Sequence, residues 1–311
     1  MNDNIGFGNI NNTDYLFDNN NDNNDNNESS TNLNNKVYSC LNCGVKILTN
    51  NNISTCPICS GNMSSITDDF KAIDGYIPFT KNIDEVRKIY KKKVMFNPIV
   101  PFIFKKKSTI DSITPVYVSV TLNDANISGN SLFLGGNKTA KNQKLSTISK
   151  TELSYTSNFD YKNVLINSCS KIDDNLFNSI CNYSCNVEPY NDELLNNICI
   201  LSDSSLEDVK NKLNKKIMNH ALIIIRDNIN YGLKKLSKNE MIITNNSCKN
   251  ILVPIYLLNV NYNAKSYKFI CNGENGNNNI KLPIGIVETI IFSILSFLII
   301  LLISFLFTKF F

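Results

Sequence analysis

Residues 40–61 read CLNCGVKILTNNNISTCPICSG and hold four of the ten cysteines of this chain. Two CxxC pairs stand 12 residues apart: Cys40 with Cys43, and Cys56 with Cys59. Each CxxC forms a tight turn that points two thiolates to one side, and a short hairpin between the turns brings the pairs together. The spacing predicts a zinc ribbon over 36–66, with one structural zinc ion bound by these four residues.

Two other interpretations of the cysteine pairs stay open. A rubredoxin-like iron site uses the same paired turns, and two disulfides would form in an oxidising compartment. In a tetrahedral zinc site the four protein ligands leave no coordination position for a substrate. We therefore expect a zinc ion that folds a small segment rather than a catalytic metal.

Six further cysteines lack metal-ligand spacing and are predicted to be small buried hydrophobic residues, consistent with a reducing compartment. They are Cys169, Cys181, Cys185, Cys199, Cys248 and Cys271. His220, the one histidine in the chain, is expected at the edge of the core. The sequence contains no recognisable catalytic set and no phosphate-binding glycine motif, so we predict no enzyme. An enzyme whose site forms only on folding remains an alternative.

Both ends of the chain differ in composition from its middle. Residues 1–35 are rich in Asn and Asp, contain six carboxylates and contain no Lys or Arg. Such a segment cannot bury enough apolar surface to fold, so it is predicted to be disordered. Because the whole chain has a net charge of +4, the remaining residues carry +10.

The segment 284–307 is predicted to be a transmembrane helix. Residues 289–307 read TIIFSILSFLIILLISFLF without a charge, and at 1.5 Å per residue they extend about 28 Å, close to the thickness of a bilayer core. A buried core helix would be shorter and would have a polar face. Without a signal peptide, we expect a tail-anchored protein with a single span and a cytoplasmic N-terminal body.

The body, 70–280, is predicted to be α+β with a mostly antiparallel sheet. Apolar residues at helical spacing predict helices over 83–96 and from 204 to about 224, and β-branched alternation predicts a strand over 115–122. Three more strands are expected near 241–244, 251–259 and 266–271. The Gly/Ser/Asn/Lys-rich residues 127–160 are predicted to be a flexible loop or insertion.

Lysine-rich stretches occur at 91–93 and 105–107. Beside a membrane they could contact anionic headgroups, and they could equally contact nucleic-acid phosphates. A solvated helix face followed by a basic turn is the third possibility.

The order of these segments resembles a poorly characterised family of transcription-factor-IIB-type zinc-ribbon proteins, sometimes named primosomal helicase-like. The matching stretches are the CxxC pairs, 76–79 with the helix to 96, 113–117, 188–190, 251–260, 265–269, 272–276 and 281–284. The chain departs from the family pattern in having no Trp, with Tyr256 at the usual tryptophan position, and in Asn277–Asn279 replacing Gly-Lys. The resemblance implies an N-terminal ribbon, an α/β body and a C-terminal membrane helix, without implying an activity.

These observations together predict a membrane protein that acts as a binding or scaffold module. We expect an unidentified protein partner that is recognised by the ribbon and the body. Nucleic-acid binding through the ribbon and the lysine clusters is the alternative partner class, and it is less favoured because Lys46 is the only basic residue between the two CxxC turns.

Overall fold

The structure is a computed structural model that describes residues 36–67, 70–136 and 150–310. The predicted disorder of 1–35 lies outside the described residues. The described chain is a mixed α+β fold built on one large sheet, and a single apolar helix follows it at the C-terminal end.

Twelve strands form the sheet in the described part of the chain. They are β1 (Lys36–Cys40), β2 (Lys46–Thr49), β3 (Met63–Ile66), β4 (Gly75–Tyr76), β5 (Thr109–Gly136), β6 (Lys150–Asn167), β7 (Glu188–Pro189), β8 (Ile198–Ile200), β9 (Leu233–Asn239), β10 (Ile242–Tyr262), β11 (Lys265–Asn272) and β12 (Asn278–Asn279). The main order is β12-β11-β10-β5-β8-β2-β1-β3, with β6 and β9 paired to β5. Most pairs are antiparallel, as predicted, but β4 with β10 and β5 with β8 are parallel.

Five α-helices accompany the sheet in the described residues. They are α1 (Ile83–Phe96), α2 (Phe102–Lys107), α3 (Asp174–Ile180), α4 (Leu206–Asp227) and α5 (Ile286–Phe310). A 3₁₀ helix at Asp192–Asn196 precedes β8.

Helix α1 begins at a capping box and covers one face of β10 and β11. The Asn82 side chain accepts a hydrogen bond from the Glu85 amide, and the Glu85 carboxylate accepts one from the Asn82 amide, so two otherwise unpaired helix N–H groups are satisfied. The buried stripe of α1 packs on the sheet together with Phe104 of α2. This stripe, at the predicted helical spacing, comprises Val86, Tyr90 and Val94.

Helix α4 covers a second part of the sheet, formed by β5 and β6. Its Ser205 cap accepts a hydrogen bond from the Asp208 amide at 3.0 Å, and five residues at helical spacing form its buried face. These residues are Val209, Leu213, Ile217, Ala221 and Ile225. They share a core cluster with Ile127 and Phe133 of β5.

The prediction of a loop over 127–160 was wrong for most of that range. Residues 127–136 continue β5, residues 150–160 belong to β6, and the two strands pair in register from Ile127 with Phe159 to Gly136 with Lys150. The exposed residues of β6 in this hairpin are polar, among them Glu152, Ser154, Thr156 and Asn158, so its composition resembles a loop while α4 buries its inner face. The alternation of Leu153, Tyr155 and Phe159 in β6 was the signal for a strand. Residues 137–149 lie outside the described residues.

The strands expected near 241–244 and 251–259 form a single strand, β10. It pairs with β5 along its length and is interrupted by irregularities near Ser247 and Val260. The hairpin from β10 to β11 turns at Asn263 and Ala264, both of which have positive φ. Such φ values match a two-residue hairpin turn whose twist suits the strands.

The predicted boundary between ribbon and body does not interrupt the sheet. Strand β2 pairs with β8, and β8 pairs with β5, so the cysteine hairpin continues the sheet of the body. Cys40 and Cys56 belong to the same core cluster as Val118 and Val253 of the central strands.

Helix α5 leaves the body as an apolar rod. Within the described residues, Ile286–Phe307 is long and apolar enough to cross a membrane, and its side chains are not buried by the rest of the chain. The helix therefore has the length and the all-round apolar character predicted for 284–307, and its crossing of a membrane stays a prediction.

Candidate metal centre

Two equivalent turns hold the four cysteines at one end of β1. In the first turn the Gly44 amide donates to the Cys40 carbonyl at 2.9 Å, and in the second the Ser60 amide donates to the Cys56 carbonyl at 2.8 Å. Gly44 and Ser60 occupy the same position in each turn, and both have positive φ, 74° and 61°. The two turns are thus repeats of one local structure, as the repeated CxxC pattern predicts.

The structure brings all four predicted ligands together. Their sulfur atoms lie within 4.8 Å of one another, with 3.4 Å between Cys40 and Cys59 and 3.7 Å between Cys43 and Cys56. Cys40 and Cys56 are buried, and Cys43 and Cys59 are partly exposed. The cluster therefore lies at the edge of the core.

These distances test whether the cluster fits a tetrahedral metal. Four sulfurs at about 2.3 Å from a central zinc ion would be about 3.8 Å apart. The Cys43–Cys56 separation of 3.7 Å matches that value and the Cys40–Cys59 separation of 3.4 Å is slightly shorter. Because the sulfurs are already this close, a metal could bind with little rearrangement of the turns.

The protein environment acts differently on the individual thiols. A backbone hydrogen bond from Gly61 lowers the pKa of Cys59 to about 6. Burial raises the pKa of Cys56 to about 12 and also raises the pKa of Cys43. Cys43 and Cys56 therefore carry protons at neutral pH in the absence of a metal, and a divalent metal that binds thiolates would release them.

Gly61 lies against the cluster and leaves room for it. A Cβ at this position would be 2.8 Å from the Asn42 Cβ, 3.3 Å from the Cys59 sulfur and 3.4 Å from the Cys40 sulfur. Gly61 thus has two roles in the cluster. Its lack of a side chain lets Asn42 and the sulfurs lie close to its backbone, and its amide donates a hydrogen bond to the Cys59 sulfur. The sequence signal for this role is a glycine two residues after the last cysteine.

The body also supports the second cysteine turn. Lys268 of β11 donates a hydrogen bond from Nζ to the Ile58 carbonyl at 2.6 Å. Lys268 is 210 residues away in sequence, so no local pattern could indicate this contact. It links the turn that bears Cys56 and Cys59 to the sheet.

The remaining predicted residues lie elsewhere. Among the six other cysteines, Cys248 is exposed and Cys185 is partly exposed, so the prediction of burial was wrong for Cys248. Cys248 follows the irregularity of β10 between Asn245 and Ser247, pairs with Asn123 of β5, and has an exposed side chain. His220 is half-buried, with its Nδ1 at 3.1 Å from the Tyr161 hydroxyl.

No protein-family model, curated protein or solved structure matches this chain. The resemblance to transcription-factor-IIB-type zinc-ribbon proteins therefore stays a prediction.

Proposed function

We propose that this protein is a membrane-anchored binding or scaffold module whose recognition surface is organised by a structural zinc ion. The proposal depends on one combination of features: a closed set of four thiol ligands and an uncovered apolar helix in the same chain. Neither feature provides a site for a chemical reaction, and both serve to hold a surface at a defined place.

Zinc is the proposed ion because of the donor set. Four thiolates in a tetrahedral arrangement are typical of structural zinc, which would stabilise the turns and leave no position for a substrate. Iron is the alternative metal for the same geometry. Metal analysis of the protein purified in detergent is expected to give one zinc per chain, and iron or no bound metal would contradict the assignment.

The cytoplasmic side is proposed for the body. The six cysteines outside the cluster form no disulfide in the described residues, which supports a reducing compartment. Labelling of Cys248 in sealed vesicles by a membrane-impermeant maleimide tests this orientation, since Cys248 is exposed. In vesicles whose outer surface is the cytoplasmic face, the maleimide is expected to label Cys248. Labelling only in vesicles whose outer surface is the opposite face would reverse the proposed orientation.

The tip of the first cysteine turn is the proposed contact for a protein partner. Leu41, between Cys40 and Cys43, is 75% exposed, so its apolar side chain is available to a partner. Its backbone is held by a hydrogen bond from its amide to the Asn62 carbonyl at 3.0 Å. Strand β3, which follows Asn62, is the last strand in the sheet order. The backbone of an edge strand therefore lies next to the exposed Leu41 side chain, and a partner can contact both.

The partner can be sought by co-purification from detergent extracts. We would compare wild type with Cys40→Ser/Cys43→Ser and with Leu41→Ser, identifying bound proteins by mass spectrometry and bound nucleic acid by nuclease-sensitive absorbance. Leu206→Ser is the matched control, because Leu206 is 69% exposed on a different part of the body.

Loss of one protein partner from the cysteine and Leu41 variants, but not from the control, is the expected result. If the partner binds all variants equally, the cysteine turn is not the recognition surface. Nucleic acid that dissociates steeply between about 50 and 200 mM salt would favour the nucleic-acid alternative.

A further inference from the structure

Four large apolar side chains are exposed where α1 ends and α2 begins. They are Met95, Phe96, Phe102 and Ile103, with exposed fractions between 58% and 79%. Phe104, in the same short helix, is fully buried and contacts the rings of Tyr262 and Tyr267. The buried Phe104 fixes α2 on the body, so the exposed side chains are held outward. We call these four residues the apolar patch.

Lysines flank the apolar patch on both helices. Three, Lys91, Lys92 and Lys93, lie in the last turns of α1, and three more, Lys105, Lys106 and Lys107, lie at the end of α2. Lys105 joins the two groups, since its Nζ donates to the Met95 carbonyl at 3.2 Å and lies 5.6 Å from the centre of the Phe102 ring. The surface is therefore apolar in the middle and positively charged around it.

The apolar helix α5 begins at this surface. The Gly285 amide donates to the Ile99 carbonyl at 2.8 Å, in the loop between α1 and α2. The Phe102 amide donates to the Glu288 carboxylate at 2.9 Å. Two hydrogen bonds thus hold the first turn of α5 beside the apolar patch.

These contacts set the depth of the patch relative to a membrane. Glu288 is the last charged residue before the uncharged residues 289–307, so its carboxylate belongs at the boundary of the hydrocarbon region. Phe102 is hydrogen-bonded to that carboxylate and must lie at the same level. A membrane crossed by α5 therefore reaches the apolar patch.

We propose that the apolar patch and its six lysines form a second membrane contact, which binds an anionic bilayer surface and fixes the orientation of the body. This inference rests on the proposed membrane span and adds an interfacial element to it. The occupant follows from charge complementarity with anionic headgroups and from the position of the patch next to α5.

The two parts of the surface act in different ways. Exposed Phe, Met and Ile side chains insert at the boundary between headgroups and acyl chains, about 5–10 Å below the surface. Each lysine near an anionic membrane strengthens binding by about fivefold at physiological ionic strength. The contact is expected to weaken in neutral lipid and at high salt, while α5 stays inserted.

A single tryptophan can report on this contact, because the chain contains no Trp. We would reconstitute full-length Phe96→Trp into vesicles of phosphatidylcholine and phosphatidylserine, with and without bromine on the acyl chains, which quenches nearby indole fluorescence. Leu206→Trp is the matched control, a second exposed apolar position, on α4. Both variants must melt like wild type before they are compared.

Emission from Phe96→Trp is expected to fall about twofold in brominated anionic vesicles, as for an aromatic ring at interfacial depth, with no fall for Leu206→Trp. Carbonate resistance of the same vesicles is measured in parallel. Resistance without quenching would overturn the second contact and leave the span intact. Extraction by carbonate would overturn the span, and the contact with it.

Four lysines can be removed without breaking the hydrogen bonds of the surface. Lys93 and Lys105 are kept, because Lys93 donates to Asn278 and Lys105 to Met95. The first lysine variant, in the Phe96→Trp background, replaces the other four lysines with Gln: Lys91, Lys92, Lys106 and Lys107. This variant should lose most of the quenching in anionic vesicles. The control replaces four exposed lysines elsewhere with the same change in charge: Lys210, Lys215, Lys235 and Lys249→Gln.

Equal quenching in both lysine variants, or in neutral and anionic vesicles, would overturn the role of the lysines. The proposal would also be overturned if Phe96→Trp showed no quenching and the protein bound RNA or DNA, with only the first lysine variant losing that binding. The surface would then be assigned to nucleic acid.

Discussion

Ile47, in the strand between the two cysteine turns, is paired with Ile200 of the body, and both side chains are fully buried. The pairing makes the cysteine hairpin part of the main sheet. A change at the cysteines must therefore affect strands far from them in sequence.

Replacing one ligand is expected to destabilise the body. On the proposed zinc assignment, Cys56→Ser removes one of the four ligands and the bound metal with it, which should lower the melting temperature by about 10 °C or more, since structural zinc contributes several kcal/mol to folding. Circular dichroism in detergent, with metal analysis, measures both effects. Cys248→Ser is the control, because Cys248 is exposed and lies outside the cluster. Loss of metal with an unchanged melting temperature would contradict the shared core.

Gly61→Ala is expected to weaken metal binding without unfolding the chain. The added Cβ would lie 2.8 Å from the Asn42 Cβ and close to two sulfurs, so the second turn must shift, and an apparent affinity about tenfold lower is typical for disturbed support of a metal site. Competition with a chromogenic chelator measures the affinity. Gly232→Ala provides the control, since among the described residues the nearest atom to a Cβ there would be the Gly136 carbonyl oxygen at 4.0 Å. Equal affinities in the two variants would exclude this role for Gly61.

Phe133→Ala tests the extended hairpin of β5 and β6. Phe133 is 2% exposed and belongs to the cluster under α4, so its truncation should decrease the free energy of unfolding by about 3–5 kcal/mol. Denaturant unfolding in detergent measures the change. Asn130→Ala, at an exposed position of the same strand, should have little effect. A similar small effect for Phe133→Ala would mean that this part of the chain is not packed.

His220 is expected to make stability depend on pH. Burial lowers its pKa in the folded protein, while the unfolded chain protonates this residue at about pH 6.5. The unfolded state therefore binds the proton more readily, and the stabilisation present above about pH 6.5 is lost as the pH falls towards the folded pKa. Melting temperatures of wild type measured from about pH 7.5 to pH 5.5 should decrease, and His220→Gln should flatten this slope. Identical slopes would exclude His220 as the cause.

Local patterns in the sequence predicted several parts of the structure. The CxxC spacing indicated the four clustered cysteines, helical periodicity indicated α1 over Ile83–Phe96, and the uncharged run indicated the apolar helix α5. Each of these signals involves residues within one turn, one helix or one short hairpin. Such features depend on backbone geometry and burial that nearby residues determine.

The long strands were harder to predict because their inner and outer faces have different neighbours. Residues 150–160 contain enough Ser, Thr and Asn to resemble a loop, and their apolar alternation becomes significant only when α4 covers one face. β-strand propensity depends on such cross-strand and facing contacts more than on the residues themselves.

The sequence alone predicted the four clustered cysteines, the helices α1 and α4 and the apolar segment of α5, because short-range spacing specifies each of them. Only the tertiary structure decided that the cysteine hairpin joins the body through Ile47 and Ile200, and that Phe102 is hydrogen-bonded to Glu288. The first contact joins residues that are 153 positions apart in the sequence, and the second joins residues that are 186 positions apart. Their meeting depends on the pairing of the whole sheet, because that pairing brings distant segments to one place and no local pattern encodes it.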